Sequence, residues 1–266
     1  MDNRKESNLH ARPIAIDTTT PQQNTWFKAW FDSGYYHKLY QNHNDREASA
    51  FINVLLRYLH PAPGSRMLDL GCGKGRHSKY LAQKGFDVTG LDLSLSSIRA
   101  AKKWETPTLQ FLRHDMRDRF GTAYYDYIFS FFTSFGYFKN WEDNNVVVAN
   151  MAAALKGNGF ILLDYFNTPY VEKNLVAVEE KKVDGTFYRI NRWSTNAFIY
   201  KQIVVNDASL PQPLEYVERV ARFSTHDFER LFAAHGLKTV QFFGDYDLSA
   251  YHADYSKRLI VFANKR

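Results

Sequence analysis

The chain reads as an α/β protein, a mostly parallel sheet with helices on both faces, and three observations predict it. Short apolar runs alternate with helix-period segments from residue 45 to the end. A glycine-rich loop, Gly71-Cys72-Gly73-Lys74-Gly75, stands between an apolar run and a helical stretch. A second apolar run then ends on Asp92, 23 residues after Asp69, itself at the tip of the first run.

Each element follows in order. Residues 45–59 form an amphipathic helix that "HPAPGS" stops, and strands are expected at 66–70, 86–92, 109–113, 125–131, 159–165, 238–243 and 258–263. Helices fit between them at 75–83, 95–104, 141–155 and 225–235. The last carries a capping box, Ser224 with Asp227, and Gly236 just past its end. One region breaks the alternation: in 176–223, stretches 187–193 and 198–205 have period 2 and read as antiparallel hairpins. Inserted at the carboxyl edge of the sheet, where open α/β sheets bind ligands, they either roof a site as a substrate lid or protect an edge.

Composition limits the function. At 266 residues, 45% hydrophobic and 23% charged, the chain can bury a core without metals or disulfides. Residues 1–23 are polar and read as a flexible tail, leaving 24–266 as one domain. No apolar run approaches the ~18 residues of a membrane span. The single cysteine, Cys72, excludes an internal disulfide framework and suits a reducing cytoplasm. The net charge is +6, but in residues 66–120 eleven Lys or Arg and six Asp or Glu are dispersed without a run, so no phosphate track emerges and nucleic acid is not the expected partner. The histidines have no H-x-x-H or HExxH spacing, and no metal is expected. A monomer or homodimer is expected.

The glycine loop alone fits NAD, FAD or S-adenosylmethionine, because a strand, glycine turn and helix N-terminus bring backbone N–H groups close to a ligand. The dinucleotide fingerprint needs a small residue at its sixth position, where this chain has Arg76. Asp69, two residues before Gly71, would repel a pyrophosphate but suits a ligand with an ammonium and a sulfonium. Asp92 is placed to accept hydrogen bonds from both ribose hydroxyls.

With "LDLGCGKG", "VTGLDLS" and "RHDMRD", the sequence resembles the class I S-adenosylmethionine-dependent methyltransferases over about residues 45–266. The resemblance implies a Rossmann-like seven-stranded sheet with its seventh strand antiparallel. It implies that Gly71, Cys72 and Gly73 approach the methionine moiety, Asp92 the ribose, Leu93 the adenine, and Asp115 with Met116 the adenine edge and face. It also makes Cys72 a small loop residue and not a nucleophile. The fourth motif, "FFTSFGYF", stands where the transferred methyl points, so Phe131, Ser134 and Tyr137 are the candidates for orienting and desolvating the reacting atoms, Phe131 also against the cofactor.

That motif, the β insertion and "FSTHDFERLFAAHGL" are similar to small-molecule N-methyltransferases that include the aminosugar N,N-dimethyltransferases. The chain departs from them at Tyr137, where those enzymes tend to have a histidine; a tyrosine with an ordinary pKa near 10 is a poor base at neutral pH. "DYFNTPY" is not the N-P-P-Y of amino-methylating DNA and protein enzymes, because it follows the fifth strand and has Thr168 for the first proline. "WFDSGYYHKLYQNHN" resembles an N-terminal lid, from which Tyr36 either reaches the methionine carboxylate or sulfonium face or packs the helix onto the body. Arg76 and His77 read as surface or carboxylate-side groups.

The expected reaction is methyl transfer to N or O of a small molecule, with RNA methylation as the alternative. The expected cleft is walled by Phe131, Phe135, Tyr137, Tyr165, Tyr188, Arg189 and Arg192, and takes a ligand with an apolar body and one anionic or hydroxylated group.

Overall fold

The computed structural model describes residues 26–41 and 45–265; the expected tail of residues 1–23 lies outside them. Seven strands form one sheet: β1 (Arg66–Leu70), β2 (Asp87–Asp92), β3 (Leu109–Arg113), β4 (Tyr125–Ser130), β5 (Leu155–Phe166), β10 (Leu237–Phe243) and β11 (Arg258–Lys265), in the order β10-β11-β5-β4-β1-β2-β3. Strand β11 runs antiparallel to both neighbours and the other pairs are parallel. The central strands are apolar on both faces, as a sheet covered by helices on each side requires. Met67, Phe129, Leu162 and Ile260 join Phe51, Ile52 and Leu55 of α3 (Asp45–Leu59) and Leu81 of α4 (Arg76–Gln83). Leu68, Ile128, Ile161 and Leu163 join Val147 and Met151 of α6 (Trp141–Ala154) and Phe228 and Phe232 of α8 (Thr225–Ala233). The capping box holds: Ser224 Oγ accepts from Asp227 N–H, and Asp227 accepts from Ser224 N–H.

Several boundaries differ from expectation for local reasons. Strand β5 begins at Leu155 instead of 159, absorbing the end of the expected helix, and an irregularity in its pairing with β4 between Tyr125 and Tyr127 accommodates the extra residues. Strand β4 ends at Ser130, because Phe132 and Thr133 have φ of +56° and +59° and turn the chain out of the sheet. Helix α5 (Leu95–Ala101) tightens into a 3-10 turn at Lys102–Trp104.

The insertion is a separate antiparallel sheet of four strands, β6 (Val178–Val183), β7 (Thr186–Ser194), β8 (Phe198–Asn206) and β9 (Leu214–Ala221), so the expected hairpin forms its centre and two further strands flank it. Short helices not expected from periodicity complete the fold: α1 (Trp26–Phe31), α2 (Gly34–Leu39) with Ser33 as N-cap, and α7 (Thr168–Lys173) with a proline in its first turn. Buried Trp30 of α1 packs on Tyr216 of β9, ring centroids 4.6 Å apart, so the N-terminal helices and the inserted sheet close over the carboxyl ends of β1, β2 and β4 together. Among the described residues no helix is long and apolar enough to cross a membrane.

Candidate cofactor and acceptor cavity

At the end of β1 the chain turns under tight steric control. A Cβ on Gly71 (φ +81°) would stand 2.5 Å from Ser134 Cβ, and one on Gly75 (φ +78°) would enter the Phe111 ring, so both positions need glycine. Gly73 (φ +55°) differs: a Cβ there would meet nothing within 4 Å. Gly71 and Cys72 donate their N–H groups to Leu91 O at 2.7 and 3.0 Å, which ties the loop to β2.

The loop forms one wall of a cavity of about 710 Å³ that also takes in Asp92, Leu93, Asp115, Met116, Phe131, Ser134, Tyr137 and Tyr36. Asp92 Oδ2 accepts from Gly73 N–H and Oδ1 from Ser94 N–H, both at 2.8 Å, so the backbone orients the carboxylate and leaves its remaining lone pairs toward the cavity. Burial pushes its pKa up, and those N–H groups oppose the rise. Asp115 is clamped by Arg117, with Nε at 3.0 Å and Nη2 at 2.7 Å, and this pairing holds its carboxyl below the usual range. Cys72 is buried and burial pushes its thiol well up, which suits a packing role and not a nucleophile.

Asp69 is placed differently from the other candidates. It lies beneath the loop, 1% exposed and off the cavity lining, where its Oδ2 accepts from Ser78 Oγ at 2.6 Å. Burial raises its pKa to about 6.

At the tip of β4, Phe131 packs on the His77 ring at 4.5 Å. Ser134 Oγ donates to Phe131 O at 2.8 Å, with Gly71 O at 3.3 Å, and so clips the strand exit to the glycine loop. Tyr137 donates to Thr133 O. Burial pushes the phenols of Tyr36, Tyr40 and Tyr137 up, so all three stay protonated at neutral pH and act as hydrogen-bond partners.

The expected cleft wall is corrected. Phe135, Tyr165 and Tyr188 are fully buried and off the cavity: Phe135 packs on Phe223, Tyr165 donates to Ala221 O at 2.6 Å, and Tyr188 donates to Tyr35 O at 3.2 Å. Arg189 is exposed, and Arg192 pairs with Glu179 at 2.5 Å. No arginine of the hairpins lines the cavity.

The roof carries a carboxylate instead. Glu218 of β9 lines the cavity and accepts from Trp30 Nε1 at 2.6 Å and Tyr40 OH at 3.1 Å, with Lys201 Nζ at 3.7 Å. Lys201 also donates to Tyr40 OH, and burial lowers its pKa. Register explains the grouping, since Lys201 of β8 is paired directly with Glu218. Sequence reasoning missed Glu218 because it sits in an ordinary alternating strand, and its partners lie 178 and 188 residues away. The alternation of "LEYVERV" does place Tyr216, Glu218 and Val220 on one face, which was the available signal. Among the described residues no cluster of three or more His, Cys, Asp or Glu could hold a metal.

A family model described as "Methyltransferase domain" matches residues 40–242. The dTDP-3-amino-3,4,6-trideoxy-alpha-D-glucopyranose N,N-dimethyltransferase of Streptomyces venezuelae is 25% identical over 181 residues, 65% of this chain and 76% of that protein. A candidate methyltransferase of Geobacillus sp. (strain WCH70) is 29% identical over 122 residues; the match covers 45% of this chain and about half, 49%, of that relative. A solved S-adenosylmethionine-dependent methyltransferase from Clostridium acetobutylicum ATCC 824 has a TM-score of 0.73 at 18% identity, covering 87% of this chain and 96% of that one. The amino pentose methyltransferase of calicheamicin biosynthesis from Micromonospora echinaspora, solved with S-adenosylmethionine, scores 0.66 at 20% identity over 88% and 98%. At these identities the structural likeness concerns the fold. The sheet order agrees with the family match over most of the chain, which belongs to the class I S-adenosylmethionine-dependent methyltransferases.

Proposed function

We propose that the protein transfers a methyl group from S-adenosylmethionine to the nitrogen of a compact amine, and that Glu218 is the observation that carries this reading. Glu218 shares its charge with Lys201 at 3.7 Å, but only Glu218 of the two lines the cavity, so an entering ligand meets a carboxylate among phenols, which favours an amine over a carboxylate or phosphate and is the reverse of the arginine-lined cleft expected from sequence. The names of relatives that act on amino sugars point the same way.

The residues present fit the cofactor. Gly73 leaves open space beside the loop, and Asp92 has lone pairs free for two ribose hydroxyls. Leu93 and Met116 offer apolar contacts to an adenine, with Asp115 at its edge. Arg76 lines the cavity, its buried Nη1 3.8 Å from Glu47 Oε2 and without a hydrogen-bond partner among the described residues, so it has hydrogen-bonding capacity left for the methionine carboxylate. When bound, S-adenosylmethionine supplies an activated methyl on a sulfonium. Phe131, Phe31 and Phe166 exclude water from that end of the cavity, the neutral hydroxyls of Tyr36, Tyr40 and Tyr137 orient the acceptor, and Glu218 holds its nitrogen by a charge-assisted hydrogen bond. The roof of α1, α2 and β9 suits a small molecule better than a polynucleotide strand. The buried, unreactive thiol of Cys72 fits a reducing cytoplasm.

The test is a labelled-methyl screen of a metabolite extract beside RNA and protein fractions. Label on a small amine supports the reading; label on oxygen acceptors alone, or only on RNA or protein, overturns it.

A further inference from the structure

Two consecutive left-handed residues, Phe132 and Thr133, stand at the tip of β4 with φ of +56° and +59°. For an aromatic residue and a β-branched one this conformation is disfavoured, and it persists only where the surroundings over-determine it. One residue takes up both of their N–H groups. Asp164 of β5, fully buried, accepts from Phe132 N–H on Oδ2 at 2.8 Å and from Thr133 N–H on its own backbone carbonyl at 3.0 Å.

Asp164 is in turn fixed from β11. Arg258 Nε and Nη2 meet Oδ1 at 2.7 and 2.6 Å, and Nη2 also donates to Thr133 Oγ1 at 2.9 Å. Tyr246 completes the set, donating to Oδ2 at 3.1 Å.

What the turn presents differs at its two residues. The Phe132 ring faces the Arg76 guanidinium at 4.3 Å, at the end of the cavity suited to the cofactor carboxylate. The Thr133 carbonyl accepts from Tyr137 OH at the acceptor end. Phe132 and Thr133 themselves line the cavity.

We propose that Asp164 and Arg258 are a positioning pair for methyl transfer: by holding the left-handed turn they set Arg76 at one end of the cavity and Tyr137 at the other. The inference rests on the reading of the cavity as the transfer site. Neither residue lines the cavity, so the pair acts only through the turn. A buried ion pair is by itself weak evidence for a role in stability, since well-packed apolar groups often replace one without loss. Here each member of the pair also reaches the turn, Asp164 Oδ2 through Phe132 N–H and Arg258 Nη2 through Thr133 Oγ1.

The test uses the full chain with 3-fluorotyrosine at position 137, in wild type, Asp164→Asn and Thr133→Val. The valine variant keeps the branched shape, loses only the link to Arg258, and guards against Asp164→Asn failing to fold. In both variants the 19F resonance of residue 137 moves, as its bond to Thr133 O loosens. In Asp164→Asn, S-adenosylhomocysteine affinity measured by calorimetry falls about tenfold, the loss expected for one charge-assisted contact. Folded variants with a lowered melting temperature but wild-type 19F spectra and wild-type affinity would overturn the proposal. If wild type itself fails to bind S-adenosylhomocysteine, the cofactor reading has failed, while the 19F comparison still reports on the turn.

Discussion

The two ends of the cavity are built in opposite ways. The end proposed for the cofactor is organised by backbone: a loop in which Gly71 and Gly75 are fixed by sterics, a carboxylate oriented by two N–H groups, and two short parallel strands adjacent in sequence. The end proposed for the acceptor is made of side chains that meet from α1, the C-cap of α2, β8 and β9, with Glu218 at their centre. A backbone cradle is insensitive to most substitutions and suits a ligand that does not vary. A cage of side chains from separate segments can be altered one residue at a time, which suits an acceptor that differs from one relative to the next.

The largest expected effect breaks the acceptor end alone. Trp30 is fully buried, packs on Tyr216 and donates to Glu218. Trp30→Ala should cost about 3 to 5 kcal/mol in the docking of α1 and α2 on the inserted sheet. Hydrogen exchange should show residues 26–41 opening, with S-adenosylhomocysteine affinity near that of wild type. Loss of that affinity in step would show that the two ends are not separable.

Asp69, beneath the glycine loop, makes the stability of that side of the molecule depend on pH. Its folded pKa, raised by burial to about 6 from 3.8, means that the folded state holds the proton where the unfolded chain has released it. Its contribution to stability is therefore fully present below pH 3.8 and is lost as pH rises through about 6. Asp69→Asn should remove that loss and gain up to about 3 kcal/mol over wild type at pH 7, with little difference at pH 4. Urea unfolding at the two pH values measures it, and an equal difference at both would contradict the assignment.

Smaller again, Asp92→Ala should weaken S-adenosylhomocysteine by about 1.5 to 3 kcal/mol, ten- to a hundredfold. Calorimetry on the folded variant measures this; unchanged affinity would move the ribose away from Asp92.

The same contrast explains what could be read in advance. The seven main strands were legible because each is a short apolar run between helix-period segments, and the glycine loop because its spacing serves a backbone need. Asp92 followed from its place at a strand end. Asp69 read as a ligand group from the same kind of position, but the structure puts it under the loop with Ser78, a contact decided by how α4 packs. The hairpin was visible by its alternation, yet the choice of face was not. Tyr188 and Arg192 share an alternate set, but one is swallowed by the core and the other by Glu179. For Glu218 the alternation of its strand gave the face it occupies but not its role, because that comes from Trp30 and Tyr40 arriving from the other end of the chain.

The claim that the roof carboxylate selects the acceptor is tested most directly by the acceptor KM of Glu218→Gln, a change that keeps shape and the hydrogen bonds from Trp30 and Tyr40 while removing charge. For the amine found in the labelled screen, the KM is expected to rise about tenfold or more. An acceptor KM equal to that of wild type would contradict it and return the acceptor end to a wall of aromatics without a charge-based choice of substrate.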